Sequence, residues 1–233
     1  MKHFIVAGAG KGVGLNIAAL LAEQHHVISL SRNMTAELEK LGTRFFPIDL
    51  ARESLDSLND LPDKIDGLVY CPGSINLKPF NRLSRQDFID DFEQNVLGAV
   101  SLIQKILPNL KRANGASIVL FSTVASTLGM PFHASIATSK AAVEGLAKSL
   151  AAELAASHIR VNVIAPSLLD TPLSAFLLNT TEKKEAAAKR HPLQRIGTAG
   201  EIAQLAAFLL SEHSPWITGQ VIGADGGMGS VKT

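Results

Sequence analysis

A doubly wound parallel α/β sheet of about seven strands, covered by helices on both faces in three layers, is the fold this sequence predicts. Two observations carry that expectation. Short apolar, partly β-branched runs recur along the chain, each followed by a longer helical stretch. A glycine-rich segment, Gly8-Ala9-Gly10-Lys11-Gly12-Val13-Gly14, also joins the first such run to the first helical stretch. The predicted strands are Phe4–Ala7, Val27–Leu30, Arg44–Ile48, Leu68–Cys71, Ser117–Phe121, Val161–Ile164 and Gln220–Ile222. Between them lie helical candidates at Leu15–Gln24, Ala36–Leu41, a long Ser84–Leu107, Ser135–Ser157 and Glu201–Leu210. Ser84 and Asp87 supply first-turn signals for the third of these. Strands alternating with helices imply right-handed crossovers and a ligand crevice beyond the carboxyl ends of the strands, where the strand order reverses.

The glycine segment points to a phosphate-bearing ligand. A helix N-terminus presents free N–H groups and the positive end of its dipole to an anion. Side chains at the glycine positions would hold the phosphates off the backbone. The spacing is G-x-x-x-G-x-G, on Gly8, Gly12 and Gly14; the dinucleotide pattern G-x-G-x-x-G is not met from either Gly8 or Gly12. A nucleotide P-loop is a poor fit, because Lys11 is followed by glycine and not by serine or threonine. Glycine turns also join strands to helices where no phosphate binds, so the segment alone leaves both readings open.

Bulk properties narrow the class. The chain has 233 residues, 46% hydrophobic and 18% charged, which suits one domain, residues 1–233, that buries roughly 70–75% of its unfolded surface. A net charge of +1 gives no general attraction to nucleic acid or anionic lipid. Cys71 is the only cysteine, so no internal disulfide forms. No apolar run approaches the roughly 18 residues of a membrane span, and the apolar start is too short for a signal peptide. A cytoplasmic protein without membrane contact is expected. No acidic, histidine or cysteine cluster suggests a metal. Residues 168–190, leucine-rich and then charged, read as a helical flap over the crevice or as an ordinary surface helix. Within it, Leu168, Leu169, Leu173, Phe176, Leu177 and Leu178 suggest an apolar pocket wall or packing on the core.

Several stretches in order resemble the short-chain dehydrogenase/reductase family. Besides the glycine turn, Asp66-Gly67-Leu68-Val69-Tyr70-Cys71-Pro72-Gly73 resembles a family strand ending in N-N-A-G, with both asparagines replaced. Asn95-Val96-Leu97-Gly98 matches the segment with the family's helix asparagine. Ser117–Thr123 matches the strand ending in the catalytic serine, and Ser139-Lys140-Ala141-Ala142 the catalytic-lysine helix. Arg160–Pro166 and Gly219–Gly227 resemble the last two strands. The resemblance spans nearly the whole chain and implies a Rossmann-type fold, a nicotinamide cofactor and a small carbonyl or alcohol substrate. It also implies self-association as a homodimer or homotetramer, through a helix that here is the alanine-rich Ser139–Ala156.

The resemblance places the cofactor along Gly8, Gly10, Lys11, Gly12, Val13 and Gly14. Further contacts fall at Ser31, Arg32, Asp49, Leu50, Cys71, Pro72, Gly73, Lys140, Pro166 and Thr171. NAD-preferring relatives end the second strand with an acidic residue; here Ser31 stands there, followed by Arg32. A carboxylate would repel a 2′-phosphate, whereas Lys11 and Arg32 resemble a basic pair that clamps one, so NADP(H) is expected.

Carried over by position, Asn95 and Lys140 are present, and the polarising hydroxyl falls on Thr123 with Ser122 adjacent. The proton-donating tyrosine, four residues before the lysine, falls on Ile136, which has no proton to give. Three explanations stay open. A substitute donor can act: His133, seven residues before Lys140 in a spacing like that of enoyl reductases, or Ser135, Ser122 or water. The chain can instead bind NADP(H) without turnover, as a sensor or regulatory protein. Or Ile136 is a recent loss or an engineered change that leaves residual activity, since losing a general acid costs about 10²–10⁴-fold.

Overall fold

The computed structural model describes residues 1–232; Thr233, the last residue of the predicted single domain, lies outside the described residues. Seven parallel strands form one sheet: β1 (His3–Ala7), β2 (His26–Ser31), β3 (Arg44–Pro47), β4 (Gly67–Tyr70), β5 (Ser117–Phe121), β6 (Arg160–Pro166) and β7 (Val221–Ala224). Their order is β3-β2-β1-β4-β5-β6-β7, so the chain winds one way from β1 and the other way from β4. All seven predicted strands are recovered. The helices are α1 (Gly12–Ala22), α2 (Ala36–Glu39), α3 (Arg85–Phe92), α4 (Gly98–Ala113), α5 (Ala134–Leu154), α6 (Thr181–Ala188) and α7 (Ala199–Leu210).

The central strands are mostly apolar because both their faces are buried, and their two-residue period splits them between two cores, while the edge strands β3 and β7 are only partly covered. Ile5, Ala7, Ile28, Leu30, Leu68, Ile118 and Leu120 pack under α4 and α5, around Leu102, Ile106, Val143 and Ala147. Phe4, Val6, Val27, Val69, Val119 and Ile164 pack under α1 and α7, around Ile17, Ala18, Ile202 and Ala206. Hence the three layers.

Two sequence expectations need correction. The stretch Ser84–Leu107 is not one α-helix: α3 opens with a reciprocal Ser84–Asp87 capping box, and a π-helical turn at Glu93–Leu97 then separates it from α4. Nor does the helix stop before Pro108. It runs to Ala113, ending at Asn114 (φ 52°), because the apolar stripe Leu102, Ile103, Ile106 and Leu110 continues past the proline and stays buried. The tertiary packing outweighs the one lost N–H bond. A pair of two-residue strands, Leu169–Asp170 and Gly197–Thr198, was too short to carry a periodic signal.

Candidate functional site: the crevice at the strand-order reversal

β1 and β4 are neighbours whose connections run in opposite directions, which opens a crevice at their carboxyl ends. The turn after β1 is shaped by its glycines. Gly8 (φ +78°) and Gly12 (φ +58°) take the left-handed conformation, and a Cβ on Gly8 would come 3.0 Å from the Pro72 nitrogen beyond β4. A Cβ on Gly14 would overlap the Gly8 carbonyl oxygen, so the first turn of α1 lies directly on the turn that precedes it. Lys11 is the residue before α1; its ammonium has no acceptor, so its side chain caps none of the first N–H groups of the helix.

A cavity of about 630 Å³ fills the crevice. Of the predicted cofactor residues, all line it: Gly8, Gly10, Lys11, Gly12, Val13, Gly14, Ser31, Arg32, Asp49, Leu50, Cys71, Pro72, Gly73, Lys140, Pro166 and Thr171. Lys11 and Arg32 are exposed at its rim. The Ser31 hydroxyl donates to Asn33 O (2.8 Å) and lies 3.1 Å from where a Gly10 Cβ would stand, which brings the end of β2 against the glycine turn. Asp49 Oδ1 accepts from Ala51 N at 3.1 Å and closes a turn after β3.

Thr123, Ser122, His133 and Ile136 also line the cavity. The Thr123 Oγ1 accepts from Ala125 N (3.4 Å), which leaves its proton for a group in the crevice. Ser122 is differently placed: its hydroxyl donates to Glu144 Oε1 (2.5 Å), as does Ser126 (2.5 Å), so the Ser122 proton is held by α5. Ile136 sits buried in the first turn of α5, and His133 precedes that helix with Nδ1 2.7 Å from Pro131 O. Ser135 is buried and does not line the cavity. Tyr70, the only tyrosine, is locked in the core, donating to Gln94 O at 2.8 Å; burial raises its phenol well above the ordinary value.

Lys140 is buried, and its Nζ donates to Phe121 O at 2.9 Å. Burial pulls the ammonium down to about 8, opposed by Cys71 and Asp91. Burial pushes the Cys71 thiol up to about 12, against the pull of Lys140, so the thiol stays protonated at neutral pH.

Asn95 does not itself line the cavity. It lies in the π-helical turn, where its Nδ2 donates to Asp91 O (2.7 Å) and Ser139 Oγ (3.3 Å). Its buried Oδ1 has no partner among the described residues, and stands 3.6 Å from the Cβ position of Gly73, which is 3.7 Å from Lys140 Nζ. The asparagine and lysine thus approach one glycine of the crevice wall from two helices.

Sequence reasoning missed several groups here. Ser74 lines the cavity and donates to the buried Asp91 Oδ1 at 2.6 Å, while Asp91 Oδ2 has no partner among the described residues. The available signal was a carboxylate one helical turn before Asn95, between Ile89 and Phe92. Ser167, Arg190 and Met228 also line the cavity. Of the leucine-rich segment, Leu168, Leu169, Leu173 and Leu177 reach it; Phe176 is exposed and Leu178 is buried elsewhere. Among the described residues, no group of three or more histidine, cysteine, aspartate or glutamate side chains is placed to hold a metal, and no helix is long and apolar enough to cross a membrane.

A family model described as enoyl-(acyl carrier protein) reductase matches residues 8–229. The 3-oxoacyl-(acyl-carrier-protein) reductase FabG of Thermotoga maritima is 32% identical over 241 residues, covering 97% of this chain and 97% of that protein. The crystal structure of Cj0485 dehydrogenase matches with a TM-score of 0.90 at 32% identity, over 99% of this chain and 95% of that one. The Pseudomonas aeruginosa RhlG/NADP active-site complex matches with a TM-score of 0.90 at 29% identity, over 98% and 96%. The chain belongs to the short-chain dehydrogenase/reductase family of oxidoreductases.

Proposed function

We propose that this chain transfers a hydride between NADP(H) and a small carbonyl or alcohol substrate, from an active site in which Ile136 holds the place of the family's tyrosine. The observation that carries the reading is the crevice itself: a glycine cradle in which a Cβ on Gly8 or Gly14 would run into backbone, with Lys11 and Arg32 on its rim and Ser31, not a carboxylate, at the end of β2. That arrangement fits an anionic dinucleotide bearing a 2′-phosphate. It agrees with the NADP complex formed by RhlG and with the reductase activity named for the FabG relatives.

Each residue then has a task. The turn Gly8–Gly14 and the N-terminus of α1 receive the pyrophosphate, Lys11 and Arg32 the 2′-phosphate, and Asp49 with Leu50 the adenine side. Cys71, Pro72, Gly73, Pro166 and Thr171 flank the nicotinamide end. Bound there, the cofactor supplies the hydride chemistry. Thr123 donates a hydrogen bond to the substrate oxygen, polarising it. Lys140 holds the ribose hydroxyls, and Asn95 Oδ1 anchors water beside Lys140. The segment 168–190 forms a flap whose leucines exclude water from the substrate side. Self-association is supported by a cleft between α3 and α5, where Phe92 and Leu97 stay exposed beside Ser135 and Ser139.

A second reading, a non-catalytic NADP(H) sensor, rests on Ile136 alone. Fluorescence titration with NADPH and NADH, followed by assay on a panel of carbonyls, tests both. Replacing Lys11 and Arg32 together by alanine is expected to weaken NADPH by about 10–100-fold and NADH hardly at all. Equal weakening of the two sinks the NADP(H) assignment. Tight binding with no turnover of any substrate favours the sensor.

A further inference from the structure

His191 lies three residues past the end of α6, and it is one of the most buried polar residues among those described, at 2% exposure. Both ring nitrogens are engaged. Nδ1 lies 2.9 Å from Ala187 O, and Nε2 lies 2.9 Å from Ser167 Oγ. A carbonyl oxygen only accepts, so in the neutral ring the proton sits on Nδ1. Nε2 is therefore the acceptor, and the Ser167 hydroxyl donates to it. The other acceptor near that hydroxyl is the Met228 thioether at 3.3 Å, a much weaker one.

Ser167 immediately follows β6 and lines the cavity. Thr123, two residues past the end of the neighbouring β5, lines it as well. The two hydroxyls thus leave adjacent strands at the same end of the sheet. Hydroxyl, imidazole and a third group that fixes the far ring nitrogen is the arrangement by which proteins move a proton at a serine.

We propose that Ser167, backed by His191, is the proton-transfer group of this active site, in place of the phenol that Ile136 cannot supply. This rests on the oxidoreductase reading above. In alcohol oxidation the substrate O–H bond breaks and its proton bonds to Ser167 Oγ. The Ser167 O–H bond breaks in turn and its proton bonds to His191 Nε2, giving an imidazolium whose Nδ1–H still donates to Ala187 O. The electron pair of the substrate C–H bond leaves with its hydrogen as hydride to NADP⁺, the oxidant. Carbonyl reduction is the reverse, with the imidazolium returning the proton through Ser167. Ser167 is the catalytic residue and His191 the positioning one, acting through the serine. Because His191 follows α6 by three residues and holds Ala187 O, the same contact fastens residues 168–190 to the sheet.

The test has two readouts. The first needs no turnover: ¹⁵N NMR of the imidazole in the free protein is expected to show the neutral Nδ1-protonated tautomer, with an Nε2 signal that moves in Ser167→Ala. The Nε2-protonated tautomer overturns the proposal. The second is kinetic. Ser167→Ala and His191→Gln are each expected to lower kcat by about 10²–10³-fold with KM and NADPH affinity changed less than about threefold. Ser167→Thr, which keeps the hydroxyl, is expected to recover most of the loss. If kcat survives Ser167→Ala, the dyad is wrong and the oxidoreductase reading stands. If His191→Gln costs NADPH affinity and melting temperature in proportion to kcat, the histidine is only a fastener and the dyad is again wrong. If the unaltered chain turns over no substrate, the oxidoreductase reading fails and takes the dyad with it.

Discussion

The two ends of the crevice are built by different means. At the glycine-turn end the walls are backbone: Gly8 and Gly14 bring main chain onto main chain, and Pro72 seals the far side. At the flap end the walls are side chains drawn from the ends of β5 and β6, the start of α5 and the segment after β6. A backbone wall tolerates no change of residue without moving the turn, whereas a side-chain wall can lose one functional group and keep its shape. That is why a chain can hold the cradle intact and yet carry isoleucine at the start of α5.

The sharpest way to break this comparison is at Gly14. A Cβ there has no room, because the Gly8 carbonyl lies in its place and neither partner is a flexible side chain. Gly14→Ala is expected to destabilise the fold by about 3 kcal/mol, a fall in Tm of about 10 °C, and to abolish NADPH binding. Thermal denaturation and fluorescence titration measure both. Normal stability and affinity would mean that the turn is softer than a backbone wall should be.

The flap end should respond in the opposite sense. Ile136 is buried in the first turn of α5 with one side toward the cavity, so Ile136→Tyr can place a phenol there, one helical turn before Lys140. Turnover is expected to rise by about 100-fold, with the melting temperature little changed. No gain across a carbonyl panel would show either that more than a proton donor is missing from that wall or that Ser167 already supplies one, and the loss in Ser167→Ala tells the two apart.

How much of this was legible in the chain follows the same division. The glycine turn is a local feature, seven consecutive residues between an apolar run and a helix, and it is read directly. The central strands are equally plain, since burial on both faces demands mostly apolar residues. The flap end is non-local. Ser167 and His191 are 24 residues apart and meet only because α6 returns to the end of β6, and neither residue has a neighbour in sequence that marks it. The π-helical turn at Glu93–Leu97 was hidden for another reason: it is a single turn between two α-helices, with no residue type of its own to mark it, yet it sets Asn95 beside Gly73.

Lys140 belongs to both ends and sharpens the comparison through pH. Its folded ammonium is held down to about 8, against an unfolded value of 10.5. Between those limits the unfolded chain binds the extra proton, so stability rises with pH across that window. Below about pH 8 the buried charge is a cost of order 3 kcal/mol at most. Lys140→Met is therefore expected to gain stability relative to the unaltered chain at pH 7, and to lose that advantage by about pH 10.5. Denaturant unfolding at both values measures it; a difference that does not vary with pH would remove the buried ammonium from the account.

The smallest expected effect concerns Asp91, which lies behind the flap end with one oxygen on Ser74 and the other without a partner among the described residues. Its negative charge raises the Lys140 ammonium, partly offsetting burial. Asp91→Asn keeps an oxygen for Ser74 and removes that charge, so Lys140 should lose its proton at a lower pH. Where the ammonium holds the cofactor ribose, NADPH affinity falls as pH rises through about 8 in the unaltered chain. In Asp91→Asn the same fall should begin earlier, by up to about one pH unit. NADPH titration from pH 6 to 10 resolves such a displacement. An unmoved curve would mean that Asp91 is screened from Lys140, and that the lysine owes its charge to the crevice alone.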